Sequence, residues 1–553
     1  MKDRSLRAHF PFFSHPQNQQ LLYFDNAATT QKPDIVISTI TDYYSIHNVN
    51  VHRASYQLAA NTTSKFEQSR VFVQEFIHAR YASEIIFTKG ATESINLIAI
   101  ALAETNLPEG GRILVSATEH HANLVPWQQL AKKKGLHIDV IPIDSNGCWQ
   151  VEQGLSLISD KTCIVALGMV SNALGSVNKV GVFIEKAKQF NSITVLDAAQ
   201  AVSHLELNVQ SLDCDFLVFS GHKAYGPTGI GVLYGKQARL NALPVFLTGG
   251  EMIEKVDYQT SSFQPPPFKF EAGTPHVEGV LGLHQALQFI QTHRVEIKKN
   301  ESALVDYLRQ TLEQVDGVRL FGDADNSIAT CSFIVEGCDS QDLGTLLNEQ
   351  GIAVRVGHHC AMPLMNTLNV PGTLRISLAC YNTVQEIDKF ALALHQAIAK
   401  LNNVNLMTSD SGTQSDDVLT RDLPLAESIK RVKGWDSVYR QVMLAGKGNQ
   451  GMPAEYKTAN NEVLGCESQV WLICHQDDKS RIRFEADASG KIVRGLLAIL
   501  LEPVQTKSAE FILQFDFFAH LQELGLDKHI SASRGNGLAA VVRKIKKLLS
   551  DQK

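Results

Sequence analysis

Through its first two-thirds the chain alternates short apolar runs with longer stretches of helical spacing. The runs are Ile85-Ile86-Phe87, Ile113-Leu114-Val115, Cys163 to Leu167, Ile193 to Leu196, Phe216 to Phe219 and Gly231 to Tyr234. Runs of this length bounded by polar and turn residues predict strands buried on both faces. Between them, spacings such as Phe66, Arg70, Val73 and Ile77 predict helices, with Asn61-Thr62-Thr63 read as a helix cap. The alternation predicts an α/β fold whose largely parallel sheet collects the polar residues of the strand ends along one edge.

Near residue 290 the texture changes to helices with shorter strands, such as Ile328 to Val335. This predicts a smaller α+β lobe ending near Leu401. Residues 402–423 are rich in Ser, Asp, Asn, Thr and Gly and read as a flexible linker. Residues 424–553 regain apolar runs and aromatic residues and have the size of an independent domain. The expected organisation is therefore 1–401, a linker over 402–423, and 424–553.

Composition narrows the possibilities. With 553 residues and 44% hydrophobic content there is ample material for a core, and a net charge of −6 leaves no basic footprint for nucleic acid or an anionic membrane. Met1-Lys2-Asp3-Arg4-Ser5 leads to no apolar h-region and no segment nears 18 continuous apolar residues, so a cytoplasmic protein with no membrane span is expected. Nine cysteines without paired spacing predict reduced thiols, and no metal site is expected. No G-x-G-x-x-G opens a helix after a strand, which disfavours a dinucleotide fold.

Two strand ends carry candidate chemistry. Phe216-Leu217-Val218-Phe219 runs into Ser220-Gly221-His222-Lys223, and Ile193-Thr194-Val195-Leu196 runs into Asp197. Lys223 alone reads as an ion-paired or snorkelling surface lysine. A lysine and an aspartate at neighbouring strand ends suit pyridoxal phosphate, which needs an amine for its aldehyde and an anion for its ring nitrogen. The strand, Gly90 turn and helix start around Ala91 and Thr92 form a candidate phosphate cradle. His358-His359-Cys360 reads alone as a buried thiol or as part of a metal site, and Cys466 alone as a small buried hydrophobe.

Five segments taken together resemble one family. Thr118-Glu119-His120-His121-Ala122-Asn123, Asp197-Ala198-Ala199-Gln200, Ser220-Gly221-His222-Lys223, Glu271-Ala272-Gly273-Thr274-Pro275 and Arg355 through Pro363 look like the SUF-type (group II) cysteine desulfurases. The tail segments Leu464 to Trp471, Gly495-Leu496 and Ser531-Ala532-Ser533-Arg534 are similar to SufE, the sulfur-accepting partner of such enzymes. The resemblance implies a fold-type I pyridoxal-phosphate fold with a mostly parallel seven-stranded sheet and a small α+β lobe, followed by a separate α+β SufE-like domain.

It also implies roles. Lys223 would carry the cofactor and move the substrate Cα proton, Asp197 would pair with the ring nitrogen, Gln200 would bond the ring hydroxyl and His120 would stack on the ring. Ala91, Thr92, Ser220 and His222 would bind the phosphate, with Thr274 supplied by the other subunit of a homodimer. Arg375 would clamp the substrate carboxylate, with Asn172, His52 and Arg355 as further site residues. Cys360 would take sulfur from L-cysteine, Cys466 would receive it with Arg534 stabilising its thiolate, and the final acceptor would be a SUF-type iron–sulfur scaffold. Selenocysteine lyase activity uses the same residues, and a tail that only docks the scaffold is the reading from another class.

Overall fold

The computed structural model describes residues 5–53, 55–406, 424–432, 435–448, 452–465, 468–477, 481–526 and 532–550. They form two compact units, one of 1–333, 351–370 and 375–391 and the other of 334–350, 371–374 and 392–553. Among the described residues no helix is long and apolar enough to cross a membrane.

The first unit is built on seven strands: β1 (Ile85–Thr88), β2 (Arg112–Ser116), β3 (His137–Ile141), β4 (Thr162–Gly168), β5 (Ile193–Asp197), β6 (Phe216–Ser220) and β7 (Gly231–Gly235). Their order is β1-β7-β6-β5-β4-β2-β3, with β7 antiparallel to both neighbours and the rest parallel. Every residue of β1, β6 and β7 is buried, the consequence of helices on both faces and the reason these strands read as unbroken apolar runs. One face packs on α2 (Ala91–Ala103) with Trp127 and Leu130, the other on Phe183, Ile184, Val280 and Leu283. Register sets Gly168 beside Asp197 and Asp197 beside Val218, which brings the polar ends of β4, β5 and β6 to one edge.

Three expectations shift. Strand β3 carries none of the apolar-run signal because, unlike β1 at the opposite edge, it is partly exposed, with His137 and Val140 open to solvent and Asp139 ion-paired to Arg112. Asn61-Thr62-Thr63 caps nothing: the helix α1 (Gln57–Phe76) begins earlier, and Thr62 and Thr63 turn their hydroxyls back to the Leu58 and Ala59 carbonyls. The change of texture near residue 290 lies inside one 37-residue helix, α3 (Val277–Glu313), whose buried side chains continue from Val277 to Leu312. A sheet of four short strands follows it: β8 (Val318–Phe321), β9 (Thr330–Val335), β10 (Arg355–Gly357) and β11 (Thr373–Ser377), in the order β8-β9-β11-β10. Between β9 and β10 runs α4 (Ser340–Glu349). The helix α5 (Val384–Leu406) carries five residues into the stretch read as linker, and 407–423 lie outside the described residues.

The second unit includes a three-stranded antiparallel sheet, β12 (Val470–Gln476), β13 (Arg481–Ala488) and β14 (Lys507–Ser508). Two helices, α6 (Trp435–Gly448) and α7 (Lys491–Leu501), meet backbone to backbone. A Cβ on Gly495 would stand 1.8 Å from the Val442 carbonyl oxygen, and one on Gly446 would stand 2.7 Å from the Gly495 nitrogen. Neither helix can retreat without opening the core that Leu496, Leu497 and Leu500 fill. Gly495→Ala is therefore expected to destabilise this domain by about 2 kcal/mol or more. The measurement is amide exchange across β13 and α7, where protection should fall by about 30-fold; unchanged protection would mean that the helices slide apart freely.

Candidate active site

The edge where β5 and β6 end holds an amine and a carboxylate on two half-buried residues. Lys223 closes the single tight turn Gly221–Lys223 directly after β6, and Asp197 ends β5. Burial holds the Lys223 amine below the usual lysine range; Arg375 and Arg355 push the same way, against Asp197 and Cys360. An uncharged amine is the form that attacks an aldehyde. Burial raises Asp197 as well, countered by the Ala199 N–H that it accepts at 2.9 Å and by the Lys223 charge. A cationic ring nitrogen is the counter-charge such a carboxylate is built to meet.

Around this pair the other predicted cofactor residues assemble. Ser220 Oγ accepts the Ala91 N–H at 2.9 Å, tying the end of β6 to the first turn of α2. Gly90, the residue before that turn, sits with a Cβ position only 3.2 Å from Ser220 Oγ, so the junction has room for backbone alone. Thr92 follows on the exposed side of the turn. Gln200 donates to the Ala27 carbonyl at 2.8 Å. The His222 carbonyl accepts the Thr30 N–H, the Thr29 and Thr30 hydroxyls and Lys32 Nζ, which fixes the turn carrying Lys223. Burial lowers His120 and His222, each to about 4, with Lys223 adding to both. His120 Nδ1 accepts the Ala122 N–H at 3.0 Å, which places its remaining ring proton on Nε2.

Beside them lies a charge cluster with one member that the motifs did not single out. Asp25 bridges two arginines, accepting Arg355 Nε at 2.9 Å and Nη2 at 2.7 Å and Arg375 Nη2 at 3.1 Å. Arg375, 2% exposed, also donates through Nη1 to the Asn172 carbonyl at 2.8 Å. Arg375 Nε and Asn172 Oδ1 are buried and have no hydrogen-bond partner among the described residues. Two orphaned polar atoms on residues joined by that Nη1 bond mark where a polar ligand belongs. Desolvation lowers Arg375 to about 10, Asp25 working against it, and an arriving carboxylate would restore the lost solvation.

Cys360 is exposed on the loop after β10. His359 and Cys360 both hold left-handed backbone, at φ 52° and 56°. Bonds from three directions keep them there: the Cys360 carbonyl accepts the His121 N–H at 2.8 Å, the His359 carbonyl accepts Asn172 Nδ2 at 2.7 Å, and the Cys360 N–H donates to His358 Nδ1 at 3.1 Å. The Met362 N–H closes the loop onto His121 Nε2 at 3.1 Å. Asn172 thus touches both the arginine and the cysteine loop. Lys223, Asp197, His120, Asn172, Arg355, Arg375 and Cys360 belong to one site, and its donor set fits pyridoxal phosphate.

Two predicted residues stand apart from it. His52 binds Glu67 at 2.9 Å and packs on Phe66 and Phe268, within a network in which buried Arg70 also pairs with Glu67 and Glu271. Thr274 is exposed in the segment before α3. Cys466 lies outside the described residues, and Arg534 falls in α8 (Ala532–Ser550) with its side chain outside them. Asp25 and Glu119 are the residues that the motif reading missed as site members. Glu119 is buried and pushed up to about 7, its oxygens accepting the Ser116 hydroxyl, Asn123 Nδ2 and the Gly168 N–H. Strand ends of matching charge signal such residues only once the fold has joined them.

Residues 22–390 match the class-V aminotransferase family, and residues 424–549 match the Fe-S metabolism associated domain, SufE. A cysteine desulfurase of Synechococcus elongatus is 44% identical over 393 residues, covering 71% of this chain and 63% of that protein. A probable cysteine desulfurase of Vibrio cholerae is 44% identical over 396 residues, covering 71% of this chain and 98% of that protein. Among solved structures, the apo cysteine desulfurase of Thermococcus onnurineus superposes with a TM-score of 0.68 at 36% identity, over 71% of this chain and 98% of that one. The cysteine desulfurase CsdA of Escherichia coli, in its S-sulfonic acid form, gives 0.66 at 38%, over 72% and 98%.

The two lowered histidines set a pH dependence. In the unfolded chain they take up protons near 6.5, in the folded protein only near 4, so between these values unfolding binds protons and stability falls as pH drops from 6.5 to 4. Glu119, raised above its unfolded value, contributes the opposite slope between 4.5 and 7. Comparing His120→Gln with the parent isolates the first effect: urea unfolding from pH 7 to pH 4 should show a smaller loss of stability in the variant. Parallel curves would show that His120 titrates normally.

Proposed function

The chain belongs to the cysteine desulfurase branch of the class-V aminotransferases, a pyridoxal-phosphate-dependent family, with a SufE domain in its tail, and on that premise we propose that it moves sulfur from L-cysteine through Cys360 to Cys466. The observation that carries this reading is the pair of bonds through Asn172, which tie the Cys360 loop to Arg375 at the Lys223 centre.

Lys223, Asp197, Gln200, His120, Ser220, His222 and the start of α2 would hold the cofactor, which supplies the electron sink that makes bonds at the substrate α-carbon labile. Arg375, assisted by Arg355, would bind the substrate carboxylate, which competes with Asp25 for the same guanidinium groups. Lys223, freed as an amine, would take the proton from Cα and deliver it where the product needs it. His120, neutral across the physiological range, would pack against the cofactor ring without adding charge.

Cys360 would attack the substrate sulfur as a thiolate. An S–S bond forms as the C–S bond breaks, its electron pair stays on carbon, and protonation there gives the methyl group of L-alanine. Cys466 would then take the outer sulfur by thiol exchange and pass it to an iron–sulfur scaffold of SUF type. Thr274, exposed here, suits contribution to a second subunit in a homodimer, and His52 suits a contribution of the same kind.

Brief incubation with L-cysteine, alkylation and peptide mass spectrometry should show one extra sulfur on the Cys360 and Cys466 peptides. In Cys360→Ala both should vanish. Sulfur on Cys360 alone would leave a desulfurase whose tail serves only to dock a scaffold. Arg375→Lys, which loses the planar fork, should raise KM for L-cysteine about 10–100-fold with a smaller change in kcat; an unchanged KM would move the carboxylate site elsewhere.

A further inference from the structure

The sulfur relay leaves unexplained a set of contacts within the second compact unit, where α4 of the small lobe meets α7 of the SufE domain. A helix start carries unpaired N–H groups and partial positive charge. Here carboxylates from another element meet them. The Lys491 N–H donates to Asp342 Oδ2 at 2.8 Å, and Ser489 Oγ donates to Asp339 Oδ2 at 3.2 Å. Asp339 at the same time caps its own helix, accepting the Gln341 and Asp342 N–H groups at 2.9 and 3.3 Å.

Two further contacts surround this one. Lys491 Nζ donates to the Leu401 carbonyl at 3.0 Å, and Lys400 Nζ lies 5.7 Å from the ring centroid of Tyr439. The residue between Ser489 and Lys491 is a glycine: a Cβ on Gly490 would stand 3.3 Å from Asp339 Oδ1 and 3.4 Å from Asp342 Oδ1. Asp342 is 1% exposed. A carboxylate that deep needs a fixed positive partner, and the start of α7 is one.

We propose that Asp339 and Asp342 on α4 form a docking site for the SufE domain, which they grip at the start of α7. The acceptor domain is then carried on the small lobe and not by residues 407–423 alone. This concerns how the domain is held and stands whether or not Cys466 carries sulfur.

The test is to insert a site-specific protease sequence within 407–423, cut the purified protein, and follow the two pieces by size-exclusion chromatography at micromolar concentration. The cut parent should elute as one complex, and cut Asp339→Lys/Asp342→Lys should separate, its pieces binding at least 10-fold more weakly. Gly490→Val, which leaves the small lobe untouched, should loosen the complex in the same way. Alanine formation from L-cysteine with added reductant checks that the desulfurase region remains folded in each variant. Separation of the cut parent, or undiminished association in both variants, would overturn the proposal.

Discussion

Everything in the first unit turns on holding an amine and a carboxylate, on two half-buried residues, at the ends of two adjacent strands. Desolvation disfavours the charge on each, and what offsets it for Asp197 is one backbone N–H, that of Ala199, and Lys223 itself. The parallel register of β5 and β6 makes the arrangement possible, since it fixes the depth of both strand ends. The sheet's interior stays apolar so that its edge can carry this strain, and the turn after β6 is pinned by four donors on the His222 carbonyl.

The cysteine loop shows the same trade. Two successive residues in left-handed backbone cost about 1 kcal/mol or more each. The bonds from Asn172, His121 and His358 offset that cost and leave the thiol exposed at the mouth of the site. Because both His358 Nδ1 and His121 Nε2 accept backbone N–H groups, each ring nitrogen so engaged is unprotonated, and both rings can be neutral. Their structural task and any part in moving a thiol proton are therefore linked: protonating those nitrogens would release the loop.

How much of this was legible beforehand follows from which signals are local. The six apolar runs announced six of the seven central strands, and the polar residues at their ends announced Lys223 and Asp197. Strand β3 was invisible because its exposed positions, His137 and Val140, and its paired Asp139 break the apolar run that β1 keeps at the opposite edge. The start of α1 was misplaced because threonines inside a helix can bond back to the preceding turn as well as cap it. Asp25 escaped notice because its role exists only across 330 residues of sequence, in the distance to Arg355, and across 350 to Arg375.

The same distinction governs the tail. Gly495 and Gly490 look alike in sequence, yet one lets two helices touch and the other lets carboxylates from α4 reach a helix start. A domain that merely rode on a tether would have no use for the second. Its N–H groups would be solvated, and Asp342 would sit in water. The burial of Asp342 against Lys491 is thus the observation that separates a carried domain from a tethered one. With the docking proposed above, the local concentration of the SufE domain is to be reckoned from the occupancy of a docked position.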